Sequence, residues 1–193
     1  MASKVEPLLI KAAISLFGES GFEGVTTKAL AGKADVEEWN IYRLFGDKEG
    51  LYQRALTSVV QSSVDQMAEF ALNFFSGSSG KDMDQAALIT AVVHHWYSSL
   101  STSGAKLIVH VRIGDKKRKA EAELPLEKII GILEKTLESD SKKTSKGKFD
   151  ARTRAEFLVK VLFDLKTTYS GKQEKDEVNR ILQDWLKTLR SSK

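Results

Sequence analysis

Proline is almost absent from this chain, and the places of its prolines limit what it can fold into. Among 193 residues only Pro7 and Pro125 are proline, and neither interrupts a long segment with helical periodicity. Proline inside a helix removes a backbone hydrogen bond and clashes with the preceding turn, so long helices exclude it. Because runs that alternate polar and apolar residues are also few, the sequence predicts an all-α protein.

Apolar residues recur with a period near 3.6 along most of the chain, and this pattern predicts about nine helices. The first is expected to begin near Pro7 and to end at Gly21, a typical stop signal. Thr26 and Thr27 are expected to cap a short second helix, and Asp47 a long fourth one. The predicted bounds of the other helices are 37–45, 83–100, 104–114, 122–138, 150–169 and 174–190.

Polar segments and short helices together predict two domains. The Ser- and Gly-rich stretch 76–80 has the composition of a flexible linker, and residues 139–148 have that of a surface loop. We expect an N-terminal three-helix domain in residues 1–50, whose second and third helices form a helix-turn-helix at about 26–45. Residues 51–193 are expected to form a larger helical domain.

The distribution of charge matters more here than its sum. The net charge of +4 and the pI near 9.1 mildly favour polyanionic partners. Residues 1–54 nevertheless hold seven basic and eight acidic side chains, so this segment is about neutral. The basic excess lies at 116–119 and 142–148. Solvated loops are the simpler interpretation of these runs, and nonspecific binding of nucleic acid is the alternative.

Several classes of protein are excluded by what the sequence lacks. It has no cysteine, which removes disulfides, thiolate nucleophiles and thiolate metal ligands. Its longest apolar stretches, such as 88–93, are far shorter than the roughly 20 residues of a membrane-spanning helix. The first residues include Lys4 and Glu6 and show no signal-peptide pattern. We therefore predict a cytoplasmic protein without a membrane segment.

A specific series of residues runs through the first 55 positions. It includes Leu16-Phe17, Gly21-Phe22, Thr26-Thr27, Leu30-Ala31, Tyr42, Phe45 and Lys48-Glu49. In this order and spacing the residues resemble the tetracycline-repressor (TetR) family of bacterial transcriptional regulators. The resemblance implies a DNA-binding helix-turn-helix followed by a helical domain that binds an effector and dimerises.

The resemblance also implies two kinds of DNA contact. Phosphate contacts, which fix the register on the duplex, are implied for Thr26, Thr27, Lys28, Tyr42 and Lys48. Contacts to base edges in the major groove are implied for Glu37, Glu38, Trp39, Asn40 and Arg43. Among these, Asn40 suits adenine and Arg43 suits guanine or a phosphate, whereas Glu38 serves equally well to complement a helix dipole.

Two positions depart from the family pattern. Asp35 stands where glycine is usual, and because aspartate tolerates a left-handed backbone, we expect the turn to form. Trp39 replaces a small residue on the face that approaches DNA. There it either packs on a thymine methyl group or changes how the helix docks.

An aromatic and polar cluster in the larger domain is the candidate effector pocket, formed by His94, Trp96, Tyr97 and His110. Core packing is the simpler interpretation of each of these side chains. Adjacent residues such as His94 and His95 point in different directions on a helix. We therefore predict no metal site, and we expect no cofactor.

Together the residues and the resemblance predict a repressor that a small-molecule effector releases from a pseudo-palindromic operator in double-stranded DNA, with activation left open. A homodimer is expected through the two C-terminal helices, 150–169 and 174–190. The alternative is a protein-interaction module that keeps the fold but has lost operator binding, in line with Trp39 and the neutral first segment. An enzyme with His94 or His110 as general base is not expected, because no nucleophile or phosphate loop accompanies them.

Overall fold

The computed structural model describes residues 4–76, 85–114, 127, 129–135, 150–168 and 171–190. Helices make up nearly all of these residues, and no strand occurs among them, which confirms the predicted all-α class. None of the described helices is both long enough and apolar enough to cross a membrane. The helices are α1 (Val5–Ser20), α2 (Thr27–Ala34), α3 (Trp39–Phe45), α4 (Lys48–Ser76), α5 (Gln85–Ser99), α6 (Thr102–Gly114), α7 (129–135), α8 (Ala151–Thr168) and α9 (Gly171–Arg190).

The predicted helix starts differ from the structure by two or three residues in α1, α3, α6 and α9. α3 begins at Trp39 rather than at residue 37, because the carbonyl of Glu37 accepts the N–H of Asn40 in a tighter turn. α9 begins at Gly171 rather than at residue 174, since the residues that follow are good helix formers. The expected linker beyond residue 76, the loop 139–148 and the basic runs 116–119 and 142–148 lie outside the described residues.

The chain forms two compact units. The first comprises Met1–Ser62 and Leu100–Glu123, and the second comprises Ser63–Ser99 and Leu124–Lys193. By packing, helix α6 therefore belongs with the N-terminal helices. The expected division at residue 50 is one of function, and it stays a prediction.

Helix α1 lies at the centre of the first unit and packs against α2 and α6. Phe17 of α1 is fully buried, and its ring lies 5.0 Å from that of Tyr52 in an edge-on contact. At Gly18 the backbone of α6 comes so near that a Cβ atom would lie 2.6 Å from the carbonyl oxygen of Ser103. This close approach is what lets α6 pack along α1.

The turn between α2 and α3 forms around a left-handed aspartate, as the sequence predicts. Asp35 ends α2 with φ 53° and ψ 49°, and its N–H donates to the carbonyls of Ala31 and Gly32. The N–H of Val36 also donates to the Ala31 carbonyl. Aspartate thus takes the conformation for which glycine is the usual choice, and the angle between α2 and α3 is fixed by backbone hydrogen bonds.

Replacing Asp35 by valine is expected to lower the free energy of unfolding by about 1–2 kcal/mol, because a β-branched residue is strained at positive φ. Replacement by glycine, which accepts this conformation freely, is the matched control and is expected to leave stability equal or higher. Urea unfolding followed by circular dichroism measures both. Equal stability of the valine and glycine variants would contradict the left-handed turn.

The second unit is built around aromatic and aliphatic side chains of α5, α8 and α9. Trp96 of α5 and Phe163 of α8 are fully buried, with ring centres 5.5 Å apart. Helix α8 packs against α9, whose Trp185 is also buried. Asp150 caps α8 by accepting the N–H of Thr153 at 2.7 Å, and this hydrogen bond lowers the pKa of the Asp150 carboxyl.

Candidate nucleic-acid interface

The start of α2 carries hydrogen-bond donors and a positive charge at the protein surface. Thr26 has an extended backbone, and its Oγ1 accepts the N–H of Ala29 at 3.1 Å, which makes it the cap of the helix. A hydroxyl that accepts one hydrogen bond still has its own proton to donate. Thr27 is half-buried and Lys28 is exposed at the next two positions. These three residues therefore combine a hydroxyl donor, a helix N-terminus and a cation.

Lys48, at the start of α4, makes hydrogen bonds within the protein. Its Nζ donates to the carbonyls of Phe22 and Val25, both at 3.1 Å, and lies 4.1 Å from the centre of the Phe22 ring. These bonds tie the start of α4 to the loop that precedes α2. An ammonium group has three N–H donors, and two of them are used in these bonds.

Helix α3 exposes large side chains on one face. Trp39 is 57% exposed and Tyr42 is 52% exposed, although both are aromatic. Arg43 is exposed on the same short helix, with its Cζ 4.9 Å from the centre of the Trp39 ring. Aromatic side chains left this open are more often found where a protein binds a partner.

Asn40 differs from its neighbours because it faces inward. It is 7% exposed, its Nδ2 donates to the Glu37 carbonyl at 3.1 Å, and its Oδ1 accepts from Nη2 of Arg43 at 3.0 Å. The nitrogen and the oxygen of the amide are thus both hydrogen-bonded to residues of α3 or of the turn just before it. This geometry is at odds with the expected adenine contact, because an amide that reads adenine must present both groups to the base edge.

The acidic residues expected at the same surface lie just before α3. Glu37 is exposed and Glu38 is half-buried. Glu38 precedes the first residue of α3 and makes no side-chain capping hydrogen bond. Its carboxylate therefore favours the helix start through charge rather than through a specific hydrogen bond.

The four residues of the expected effector pocket fall into both units. His94 is half-buried, and its Nε2 lies 2.7 Å from Oδ1 of Asn179 on α9. Tyr97 is buried, and Nζ of Lys166 lies 4.6 Å from the centre of its ring. Trp96 is a core residue of this second unit, whereas His110 is exposed on α6 of the first unit.

Sequence reasoning missed an open groove in the first unit. It has a volume of about 770 Å³ and runs beside α1, where Leu8 remains 47% exposed. The sequence signal for this groove was that Leu8 and Ile14 lie away from the buried face of α1. The other residues that line the groove include Lys11, Lys33, Ser58, Ser101 and Ser103.

Within the described residues, no cluster of histidine and acidic side chains is placed to hold a metal ion.

A capped α2, a left-handed turn and an exposed α3 braced by α1 define a helix-turn-helix protein. Residues 9–55 match the family model of bacterial regulatory proteins of the tetR family. This N-terminal segment is therefore that of the tetR family, and the all-α fold of the described residues agrees with it. No curated protein sequence matches the chain.

Solved structures share the fold over nearly the whole chain at low sequence identity. FadR from Bacillus subtilis in complex with stearoyl-CoA is 17% identical, covers 97% of this chain and 98% of its own, and has a TM-score of 0.71. The fatty acid degradation regulator FadR from Bacillus halodurans is also 17% identical, covers 96% of both chains and has a TM-score of 0.68. PfmR from Thermus thermophilus is 13% identical, covers 93% and 97%, and has a TM-score of 0.71.

Proposed function

We propose that the chain is a homodimeric transcriptional regulator, most simply a repressor, that binds operator DNA in the cytoplasm and is released by a small-molecule effector. The observation that carries the proposal is the exposed face of α3, with Trp39, Tyr42 and Arg43 open to a partner beside the capped start of α2. A recognition helix must offer such side chains to the major groove. Members of the TetR family are generally regulators rather than enzymes, and we propose no catalytic activity.

Phosphate contacts are assigned to residues around α2 and at the start of α4. Thr26 and Thr27 supply hydroxyl and backbone donors, and Lys28 supplies an exposed charge. Tyr42 and Lys48 flank them from α3 and α4. Because Lys48 also holds the loop before α2, its contribution combines a charge with the geometry of that loop.

The effector is proposed to bind in the second unit, near His94, Trp96 and Tyr97 on α5. The FadR structure from Bacillus subtilis, which shares the fold, contains stearoyl-CoA. An acyl-CoA is therefore the first class of effector to test. Addition of stearoyl-CoA is expected to weaken operator binding at least tenfold, and coenzyme A alone is the matched control.

The DNA-binding test is a titration of the full-length protein into duplex DNA from upstream of its own gene, with scrambled DNA as competitor. Binding is expected to weaken with salt, because the protein displaces counterions from phosphates. Lys28→Ala is expected to lower the slope of log K against log salt by about 1, while Lys187→Ala on α9 leaves it unchanged. Binding that is indifferent to sequence or salt would reject operator recognition.

A dimer through α8 and α9 is proposed because Phe157 of α8 is 60% exposed although it is a large apolar side chain. A two-fold axis would bury the same face of both copies. Phe157→Asp is expected to weaken the dimer at least tenfold, since it places a charge in that face. Sedimentation measures the change, with Lys11→Asp on α1, away from the proposed interface, as the control. A dimer unaffected by Phe157→Asp would require a different interface.

The second candidate is a protein-interaction module with the same fold, favoured by the acidic pair Glu37 and Glu38 beside the exposed Trp39. Carboxylates repel the phosphate backbone, whereas an exposed indole suits a protein partner. This candidate predicts no salt-dependent DNA affinity at all. The titration above therefore separates the two.

A further inference from the structure

Three side chains of α3 form a connected group that we call the Arg43 cluster: Trp39, Asn40 and Arg43. The guanidinium carbon of Arg43 lies 4.9 Å from the centre of the Trp39 ring, within the range of a cation–π contact. Its Nη2 donates to Oδ1 of Asn40 at 3.0 Å. Two neighbours of different chemistry thus restrain one exposed and otherwise flexible side chain.

Asn40 is itself held in one orientation. Its Nδ2 donates to the Glu37 carbonyl, which leaves Oδ1 as the group that faces Arg43. Because Asn40 is 7% exposed, the acceptor of this pairing is largely removed from water, although Arg43 itself is exposed. The oxygen is therefore a fixed acceptor that determines where one edge of the guanidinium lies.

The restraint draws the guanidinium toward the N-terminal end of α3. Side chains on a helix lean toward its N-terminus, and the contact with Trp39 draws Arg43 in that direction. In a helix-turn-helix, the N-terminal residues of the recognition helix contact the bases. An arginine also has five N–H donors, so one bond to Asn40 leaves a pair for a further partner.

We propose that Arg43 reads a guanine in each operator half-site, and that Trp39 and Asn40 are positioning residues that orient its guanidinium before DNA binds. The inference rests on the proposed operator binding and replaces the expected adenine contact of Asn40. Guanine is the base whose major-groove edge offers two acceptors, O6 and N7, to a forked donor. Restraint before binding reduces the side-chain entropy that is lost on contact.

The test begins with a selection by the full-length protein from a pool of DNA duplexes with a randomised core. The wild-type protein is expected to enrich a two-fold motif with a guanine in each half. Binding is then compared between the enriched duplex and the same duplex carrying 7-deazaguanine at those positions. Loss of the N7 acceptor is expected to weaken wild-type binding about tenfold to a hundredfold.

The variants distinguish reading from positioning. The 7-deazaguanine penalty is the loss of affinity between the two duplexes. Arg43→Ala is expected to bind both duplexes equally, whereas Lys11→Ala on α1 is expected to keep the full penalty. Trp39→Ala and Asn40→Leu are expected to reduce the penalty several-fold with an unchanged salt slope. Asn40→Asp keeps an acceptor for Arg43 but loses the donor to the Glu37 carbonyl, so it is expected to retain the 7-deazaguanine penalty at lower overall affinity and lower stability. Thermal unfolding of each variant separates this effect from loss of fold.

Several results would overturn the inference. An enriched motif without guanine, or a penalty that persists in Arg43→Ala, rejects Arg43 as the reader while leaving operator binding intact. A further outcome concerns duplexes in which thymine is replaced by uracil. If this replacement weakens binding of the wild-type protein but not of Trp39→Ala, and Trp39→Ala keeps the 7-deazaguanine penalty, then Trp39 contacts a base instead of positioning Arg43. A selection that enriches nothing rejects both this inference and the proposed function.

Discussion

Gly18→Ala is expected to lower the free energy of unfolding of the first unit by about 2–3 kcal/mol, because there is no room for a single added carbon. A Cβ atom at this position would lie 2.6 Å from the carbonyl oxygen of Ser103 and 3.3 Å from the backbone nitrogen of Leu107. Both neighbours are backbone atoms of α6, so relief requires α1 and α6 to move apart. Urea unfolding followed by circular dichroism measures the loss.

Gly32→Ala is the matched control for this substitution. Gly32 also lies within a helix, but a Cβ atom there would meet nothing within 4 Å. The better helix propensity of alanine is then expected to raise stability by about 0.5–1 kcal/mol. The two variants make the same chemical change, so opposite signs isolate the contact between helices. Equal effects would show that α6 does not pack on α1 at Gly18.

Phe163→Ala is expected to cost the second unit about 3–5 kcal/mol, which is the usual range for removing a fully buried aromatic ring. Phe163 is 0% exposed, and its ring packs edge-on against Trp96. The substitution removes this contact and leaves a cavity between α5 and α8. Chemical denaturation is the appropriate measurement, because the two units need not unfold together.

Phe157→Ala makes the same change on the opposite side of α8, where the ring is 60% exposed. In dilute protein it is expected to change stability by less than about 0.5 kcal/mol. A cost that grows with protein concentration would come from the proposed dimer, since association stabilises the folded chain by mass action. A large cost at low concentration would contradict the assignment of Phe157 to the outer face of α8.

Features fixed by neighbouring residues were predictable from the sequence. Thr26 caps α2, and Asp35 takes the left-handed turn, because both depend on bonds spanning a few residues. The all-α class followed in the same way from periodicity and from the placement of proline. In each case the sequence pattern and the interaction that it predicts involve residues close together in the chain.

Features that depend on distant contacts were not predictable. Lys48 binds carbonyls at Phe22 and Val25, more than 20 residues away, and no pattern in the sequence announces that pairing. The inward orientation of Asn40 was missed for a different reason. α3 has seven residues, too few for periodicity to distinguish its faces.

The candidate effector residues show a further limit of composition. The sequence groups His94 and His110 because effector pockets combine apolar side chains with a few polar ones, yet the two histidines lie in different units. What separates them is the packing of α6 against α1, which depends on the missing side chain of Gly18. A site inferred from residue types alone cannot anticipate such a partition.

The placement of the three tryptophans has a practical consequence. Trp96 and Trp185 are buried in the second unit, whereas Trp39 is 57% exposed in the first. Indole groups in water emit at longer wavelengths than buried ones, so the red edge of the emission spectrum belongs mainly to Trp39. The protein therefore carries an intrinsic fluorophore on the surface proposed to meet DNA, and docking can be followed optically without an added dye.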